Sequence, residues 1–326
     1  MPLRRLAAWA FTQPYLLLAT TMAFWGGNFV VGRALAGVFP PVTLAQIRWA
    51  VAALIVLPFA WRHLRADWPE LRRRWGMVTL LSLTGITLYN TLAYVGLQYT
   101  EAINGLLIQS TAPLLIAFWS LVLYRDRLTA AQIAGILVSL TGVAVIVLRG
   151  DFGTLRHLAF NVGDAWLLLA LALYALYSAL LKRRPAVHWL SLLGITLAWG
   201  AILLAPATAW ELASGARPQI TGGTMAALLY VCVFPSVVAY ICFNRGVDLI
   251  GPNRAGPMFH LIALFGSVLA ILFLGEQPRL FHFVGYALII GGIIVAQGFG
   301  QRGRAVRSPA PAAGVAPSAP PPPPRR

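Results

Sequence analysis

Ten apolar runs decide what this chain can become. They lie near 15–37, 43–61, 76–98, 101–124, 129–148, 163–181, 189–210, 224–246, 251–274 and 281–299. Each has about the 17 to 25 residues that a helix needs to cross the hydrocarbon of a bilayer. Hydrophobic residues make up 59% of the sequence and charged residues only 10%, against about 25% charged in soluble domains. Such an excess cannot be hidden in one water-soluble core. The sequence therefore predicts an all-α integral membrane protein of ten transmembrane helices. The first run follows Arg4 and Arg5, is too long for a signal-peptide core and lacks a clear cleavage site, so it is expected to stay as an anchor. The net charge of +16 would suggest a nucleic-acid partner in a soluble protein. Here the arginines sit in short loops between apolar runs, where the positive-inside rule accounts for them, and no nucleic-acid partner is expected. Cys232 and Cys242 stand ten apart in one run, which suits buried free thiols better than a metal pair.

The landmarks of one half recur in the other at an offset of 150 residues. Asp126, Gly135, Gly142 and Gly96 correspond to Glu276, Gly285, Gly292 and Gly246 without a gap. Residue identity between the halves is low, so the match rests on spacing and on the order of apolar runs. Placing the N-terminus in the cytoplasm puts 19 Lys and Arg in inside segments and 4 in outside loops. Both termini are thus expected inside a cell (inner) membrane. Each half holds five spans, an odd number, so the second half must enter from the opposite side. Inverted halves of this kind can exchange conformations across a pseudo-two-fold axis, the geometric basis of alternating access.

Trp25-Gly26-Gly27-Asn28 in the first span, Ala112-Pro113 in mid-span, Asp126 at a helix end and the Gly135 and Gly142 pair together resemble the EamA repeat. Tyr174 to Arg184 and Gly275-Glu276 through Gly285 and Gly292 resemble a second copy. The resemblance implies the drug/metabolite transporter superfamily, with two inverted five-helix repeats, a central cavity and export of amino acids or other small metabolites. The repeats are expected at 15–148 and 163–299, with a Pro-, Ala- and Arg-rich tail at 300–326 that cannot bury a core. Asp126 stands where the family usually has Glu, Ala175-Leu176 replaces Trp-Gly in the second copy, and the mid-span proline is displaced to Pro257.

Polar groups inside a bilayer are costly unless they pair or face water, so each is a candidate for the pathway. Asn90 and Tyr94 share a face of the third span, and their equivalents Tyr240 and Asn244 exchange the two residue types. Amide and phenol together suit a small zwitterion or polar metabolite. Ser110 corresponds to His260, with Gln109 beside it; Trp25 and Asn28 correspond to Ala175 and Ser178, where Tyr174 and Tyr177 add phenols. The competing reading for each is interhelical bonding that only holds spans together. Thr79, Ser82, Thr84 and Thr87 are expected to bond back to their own helices. Asp126 and Glu276 are assigned to local salt bridges or to helix-end placement at the interface, rather than to substrate contact, and Glu101 and Asp164 to helix N-termini. Arg33 and Arg48 lie in or beside the first two spans. Snorkelling accounts for Arg33, and bidentate binding of a carboxylate or phosphate is the alternative for either; the structural reading is preferred.

No carboxylate falls in the middle of a span and no Gly-x-x-x-x-Gly-Lys-Ser/Thr motif is present. Facilitated diffusion, or weak coupling through His260, follows. No cofactor, metal cluster or nucleophile–base set is recognisable, so an enzyme is not expected. Membrane lipids and a small-molecule substrate are the expected partners, and a homodimer is compatible with the sequence. The alternatives to a metabolite exporter are a lipid or drug transporter and a membrane protein without transport activity.

Overall fold

The computed structural model describes residue 5 and residues 8–100, 102–157, 160–274 and 277–298; the expected tail, Glu101 and Glu276 lie outside the described residues. Among the described residues the chain is helical and forms ten spans. They are α1 (Pro14–Ala34), α2 (Pro41–Arg73), α3 (Trp75–Tyr99), α4 (Ala102–Gln109 and Ala112–Tyr124) and α5 (Ala130–Val147). The second half contributes α6 (Val162–Leu180), α7 (Trp189–Ala213), α8 (Gly222–Ile250), α9 (252–274) and α10 (Leu280–Gln297). Nine are long and apolar enough to cross a membrane as continuous helices; α9 is broken by a 3₁₀ segment, Gly256–His260. The chain is therefore a multi-pass membrane protein.

The second span runs further than its apolar pattern indicates. Residues 62–73, expected as a connection, continue α2 beyond the hydrocarbon. Leu64 and Leu71 are a heptad apart and pack with Val78, while Glu70 pairs with Arg73 and Arg74. An apolar stripe with ion pairs at helical spacing holds this extension as helix.

The packing shows how the halves are related. Helix α5 lies along α10, and the landmark glycines meet there. A Cβ on Gly135 would fall 2.4 Å from the Gly292 carbonyl, and one on Gly142 would fall 2.7 Å from the Gly285 carbonyl. Gly135 thus meets the repeat-equivalent of Gly142, and Gly142 meets the equivalent of Gly135. The pairing runs in opposite chain directions, so α5 and α10 are antiparallel and related by a two-fold axis perpendicular to both. Small residues permit this backbone approach where apolar attraction between helices is weak. Helices α2 and α7 form a second self-paired contact. At one end Glu211 of α7 accepts from the backbone N–H of Val42 (3.0 Å) and of Thr43 (2.6 Å), a carboxylate on the helix N-terminus. The remaining contacts come in equivalent pairs: α3 with α6 as α8 with α1, and α4 with α6 as α9 with α1. In the first of these, Gly96 and Gly163 face each other so closely that a Cβ on either would strike the other's carbonyl.

Both halves also carry a π-turn in their third span, at Leu83–Thr87 and Phe234–Val238, one residue from the 150 offset. Such turns interrupt the regular ladder and are frequent at functional sites. Ser82 and Thr84 bond back to their own helix, as expected. Thr87 instead donates to the Gly200 carbonyl of α7, and Thr79 accepts from Trp199 Nε1, so these two tie α3 to α7.

Candidate functional site

Arg48 lies on α2 two turns from its N-terminus, and it is 1% exposed. Three other helices, α1, α3 and α8, supply its partners. Nε donates to Ser236 Oγ at 2.7 Å. Nη1 donates to Asn90 Oδ1 and Tyr94 Oη, each at 2.8 Å, and approaches Asn28 Oδ1 at 3.3 Å. Nη2 donates to the Pro235 carbonyl at 3.1 Å, and the guanidinium lies 4.5 Å from the centre of the Trp49 ring. Every acceptor is neutral, and among the described residues no carboxylate pairs with this arginine. A guanidinium keeps its proton, so burial cannot neutralise it. Its desolvation costs several kcal/mol, offset by hydrogen bonds from a charged donor at about 1.5–3 kcal/mol each.

The acceptors are themselves held in place. Tyr94 Oη donates on to Asn28 Oδ1 at 3.0 Å, and Ser236 Oγ donates to the Val231 carbonyl at 2.6 Å. The Pro235 carbonyl lies in the second π-turn and also accepts from Trp25 Nε1 at 3.1 Å. Tyr240 Oη donates to the Gly85 carbonyl of the first π-turn at 2.5 Å. Ser236, a partner of Arg48, lies in the second π-turn, and Tyr240, which touches Asn90, holds the first. Asn90 and Tyr240, equivalent residues, approach to 3.5 Å, which places this cluster on the pseudo-two-fold axis.

A cavity of about 30 Å³ opens beside Arg48, bordered by Trp25, Asn28, Tyr89, Asn90, Tyr94 and Gln109. At the end of the bundle marked by Asp126, Lys182 and Arg184, a vestibule of about 570 Å³ reaches in as far as Asn244. Aromatic rings separate the two spaces. Tyr177 Oη donates to Asn244 Oδ1 at 2.7 Å, its ring lies 5.3 Å from Tyr174, and Tyr174 lies 5.3 Å from Trp25 at the cavity wall. Tyr240, Phe243 and Phe259 complete the layer. Gly85 makes room for it, since a Cβ there would strike the Tyr177 ring at 2.3 Å. The buried Tyr174 hydroxyl and Trp49 Nε1 have no protein partner.

The residues singled out by the repeat divide into three groups. Trp25, Asn28, Asn90, Tyr94 and Gln109 border the cavity, and Tyr240 touches it through Asn90. Tyr174, Tyr177 and Asn244 form the aromatic layer and its vestibule side. Ser110 and His260 stand apart. His260 Nε2 donates to the Ser110 carbonyl at 2.9 Å, and His260 Nδ1 accepts from Ser139 Oγ at 2.6 Å. Both ring nitrogens are thereby used in packing α9 against α4 and α5, and the Ser110 hydroxyl bonds to the Leu107 carbonyl. Ser178 Oγ is buried without a partner and lies outside the Arg48 shell.

Arg48, for which the sequence favours a structural role, lies at the centre of this polar cluster. Its one sequence signal is a charge inside the second apolar run with no acid at helical spacing. Arg33 differs: it is exposed and donates to the Leu97 carbonyl at 2.8 Å. Asp126 pairs with Lys182 at 2.5 Å at the rim of the vestibule. Buried Asp164 accepts from Asn104 (3.0 Å) and the Asn161 backbone (2.9 Å), closing the N-terminus of α6. No group of three or more metal-binding side chains occurs among the described residues.

Comparison with known proteins agrees with this architecture. The model of the EamA-like transporter family matches residues 12–148 and 161–297, one copy on each half. The "Uncharacterized transporter YyaM" of Bacillus subtilis is 27% identical over 285 residues, covering 87% of this chain and 93% of that protein. An "Uncharacterized transporter" of Archaeoglobus fulgidus is 28% identical over 288 residues, covering 86% and 96%. The "Probable terminal-alkyne amino-acid exporter" of Streptantibioticus cattleyicolor is 26% identical over 288 residues, covering 85% and 91%. A solved crystal structure shares the fold at a TM-score of 0.69 and 21% identity, covering 87% of this chain and 96% of that one. The chain belongs to the EamA-like transporter family and is a membrane transporter built from two EamA repeats.

Proposed function

We propose that this protein is a secondary exporter of small metabolites such as amino acids, working by alternating access. The observation that carries the reading is the sealed polar cluster around Arg48, set on the axis that relates the two halves. A transporter of inverted repeats keeps its site near the membrane midplane and lets the halves exchange conformations around it. In this conformation the site is closed, and the vestibule ending at Asn244 is the approach from one side. The substrate displaces Asn90, Tyr94 and Asn28 from Arg48 and parts the aromatic layer. Exchange of the two π-turn conformations then opens the opposite side. The arginine count favours the vestibule side as cytoplasmic, which makes it the loading side of an exporter in the cell membrane. The amino-acid assignment also draws on the name of the Streptantibioticus relative.

Coupling is expected to be absent. His260 does not border the cavity, and its nitrogens are engaged with Ser110 and Ser139. The test is counterflow in proteoliposomes with a labelled panel of amino acids and small metabolites, with and without a pH gradient. Saturable uptake of one class, unchanged by the gradient, is the expected result. Acceleration by the gradient would overturn the uncoupled mechanism, and absence of uptake by folded protein would overturn the transport of these compounds.

A further inference from the structure

The charge balance of the Arg48 cluster narrows the substrate further than the family does, and the step rests on the transport reading just given. The cavity is bordered by one guanidinium, amides, phenols and apolar side chains, with no Asp or Glu among them. All the partners of Arg48 are neutral. The empty site therefore carries one uncompensated positive charge. A monoanion cancels it; a dianion such as a phosphate monoester leaves an excess of negative charge, and a zwitterion leaves the site as positive as before. Among the described residues no carboxylate borders the cavity to receive an ammonium group. The rings of Trp25 and Tyr89 border the same cavity and suit an apolar body, and Tyr174 packs against both from the aromatic layer. Arg48 is also reachable for a carboxylate, because Asn28, Asn90 and Tyr94 are side-chain acceptors able to swing away, unlike a backbone cage.

We infer that the site selects an organic monocarboxylate with an apolar side chain, that its carboxylate is bound by Arg48, and that an α-amino group is dispensable. Asn28, Asn90 and Tyr94 hold Nη1 until the carboxylate replaces them, while Ser236 and the Pro235 carbonyl keep their bonds to Nε and Nη2; the carboxylate then bridges Nη1–H and the second Nη2–H, a bidentate pair that arginine geometry favours.

The test uses purified wild-type protein and three matched sets: alanine, leucine and phenylalanine, their amides, and the corresponding acids without the amino group. A ligand that binds the folded state raises the unfolding temperature by an amount that grows with the logarithm of its concentration relative to its Kd. The deaminated acids are expected to stabilise at least as well as the amino acids. The amides are expected to need on the order of tenfold to a hundredfold higher concentration, the loss of a charge-assisted hydrogen-bonded pair. The same order should hold for competition against labelled amino-acid counterflow. Arg48→Lys should keep the preference for carboxylates with weaker binding, and Arg48→Gln should lose it. Amides as effective as acids would overturn the inference while leaving transport intact, and so would amino acids far better than their deaminated acids. No response to any carboxylate also overturns it; continued counterflow of the panel would then show that the transport reading stands without it.

Discussion

Adding one methyl group at the α5–α10 seam tests the two-fold packing directly. A Cβ on Gly142 would lie 2.7 Å from the Gly285 carbonyl, 2.8 Å from the Ile289 nitrogen and 2.8 Å from Leu288 Cβ. On its repeat-equivalent, Gly292, a Cβ would lie 2.5 Å from the Ser139 nitrogen and 2.6 Å from the Gly135 carbonyl. The obstructing atoms are mostly backbone, so relief requires the helices to separate by several tenths of an ångström to about 1 Å. A gap of about 0.5–1 Å forfeits a quarter to a half of each dispersion contact along the seam. Overpacking of this kind costs about 1–3 kcal/mol. In a chain of 326 residues that corresponds to a fall in Tm of roughly 1–5 °C. Gly291 provides the control, since a Cβ there meets nothing within 4 Å. Gly291→Ala should be neutral or stabilise by about 0.5–1 kcal/mol, the usual gain of Ala over Gly within a helix. Thermal unfolding of the three variants in detergent is the assay. Equal losses at positions 142 and 292 with none at 291 are expected. A loss at 291 as large as that at 292, or an unchanged Tm at both seam positions, would refute the packing argument.

Three further outcomes follow from the site and its surroundings. Asn90→Leu removes an acceptor from buried Arg48 and should abolish counterflow while a large fraction of the protein remains folded by size-exclusion chromatography. His260→Gln should leave the pH dependence of transport unchanged, with any loss appearing as a lower Tm, because the ring bonds only to packing partners. His188 caps α7 outside the membrane, stacked 3.7 Å from His63; burial first, and then His63, lower its pKa from 6.5 against the opposing pull of Asp67. The unfolded chain therefore binds this proton more readily. Stability contributed here is present above about 6.5 and is lost as pH falls toward the depressed folded value. Tm measured against pH should decline less on acidification in His188→Asn than in the wild type.

The architecture was legible because membrane crossing and close helix contact leave strong marks. Apolar runs located ten spans, and the glycines spaced seven apart that mark the repeat in sequence line the α5–α10 seam in the structure. The 150 offset even paired residues that meet across the axis, Asn90 with Tyr240 and Ser110 with His260. The site was legible only in part. Arg48 draws partners from α1, α3 and α8, separated from it by as many as 188 residues, and no local pattern announces such convergence. The π-turns leave no side-chain signature of their own. At His260 the sequence offers only a titratable ring in mid-span; its two bonding partners, Ser110 and Ser139, emerge only from the fold. The extension of α2 was missed because length was judged from hydropathy, whereas residues 62–73 are held by an apolar stripe and ion pairs outside the lipid.

Access to the cavity from both faces of the membrane is the claim on which the mechanism stands. Gln109 borders the cavity and is half-buried, and the native thiols Cys232 and Cys242 are buried and replaceable by alanine. A single cysteine introduced as Gln109→Cys in the Cys232→Ala, Cys242→Ala background can be challenged with a membrane-impermeant thiol reagent, applied to right-side-out or to inside-out vesicles. Alternating access predicts labelling from either side, each reduced by saturating substrate. Labelling from one side only, with the other inert under turnover, would contradict it.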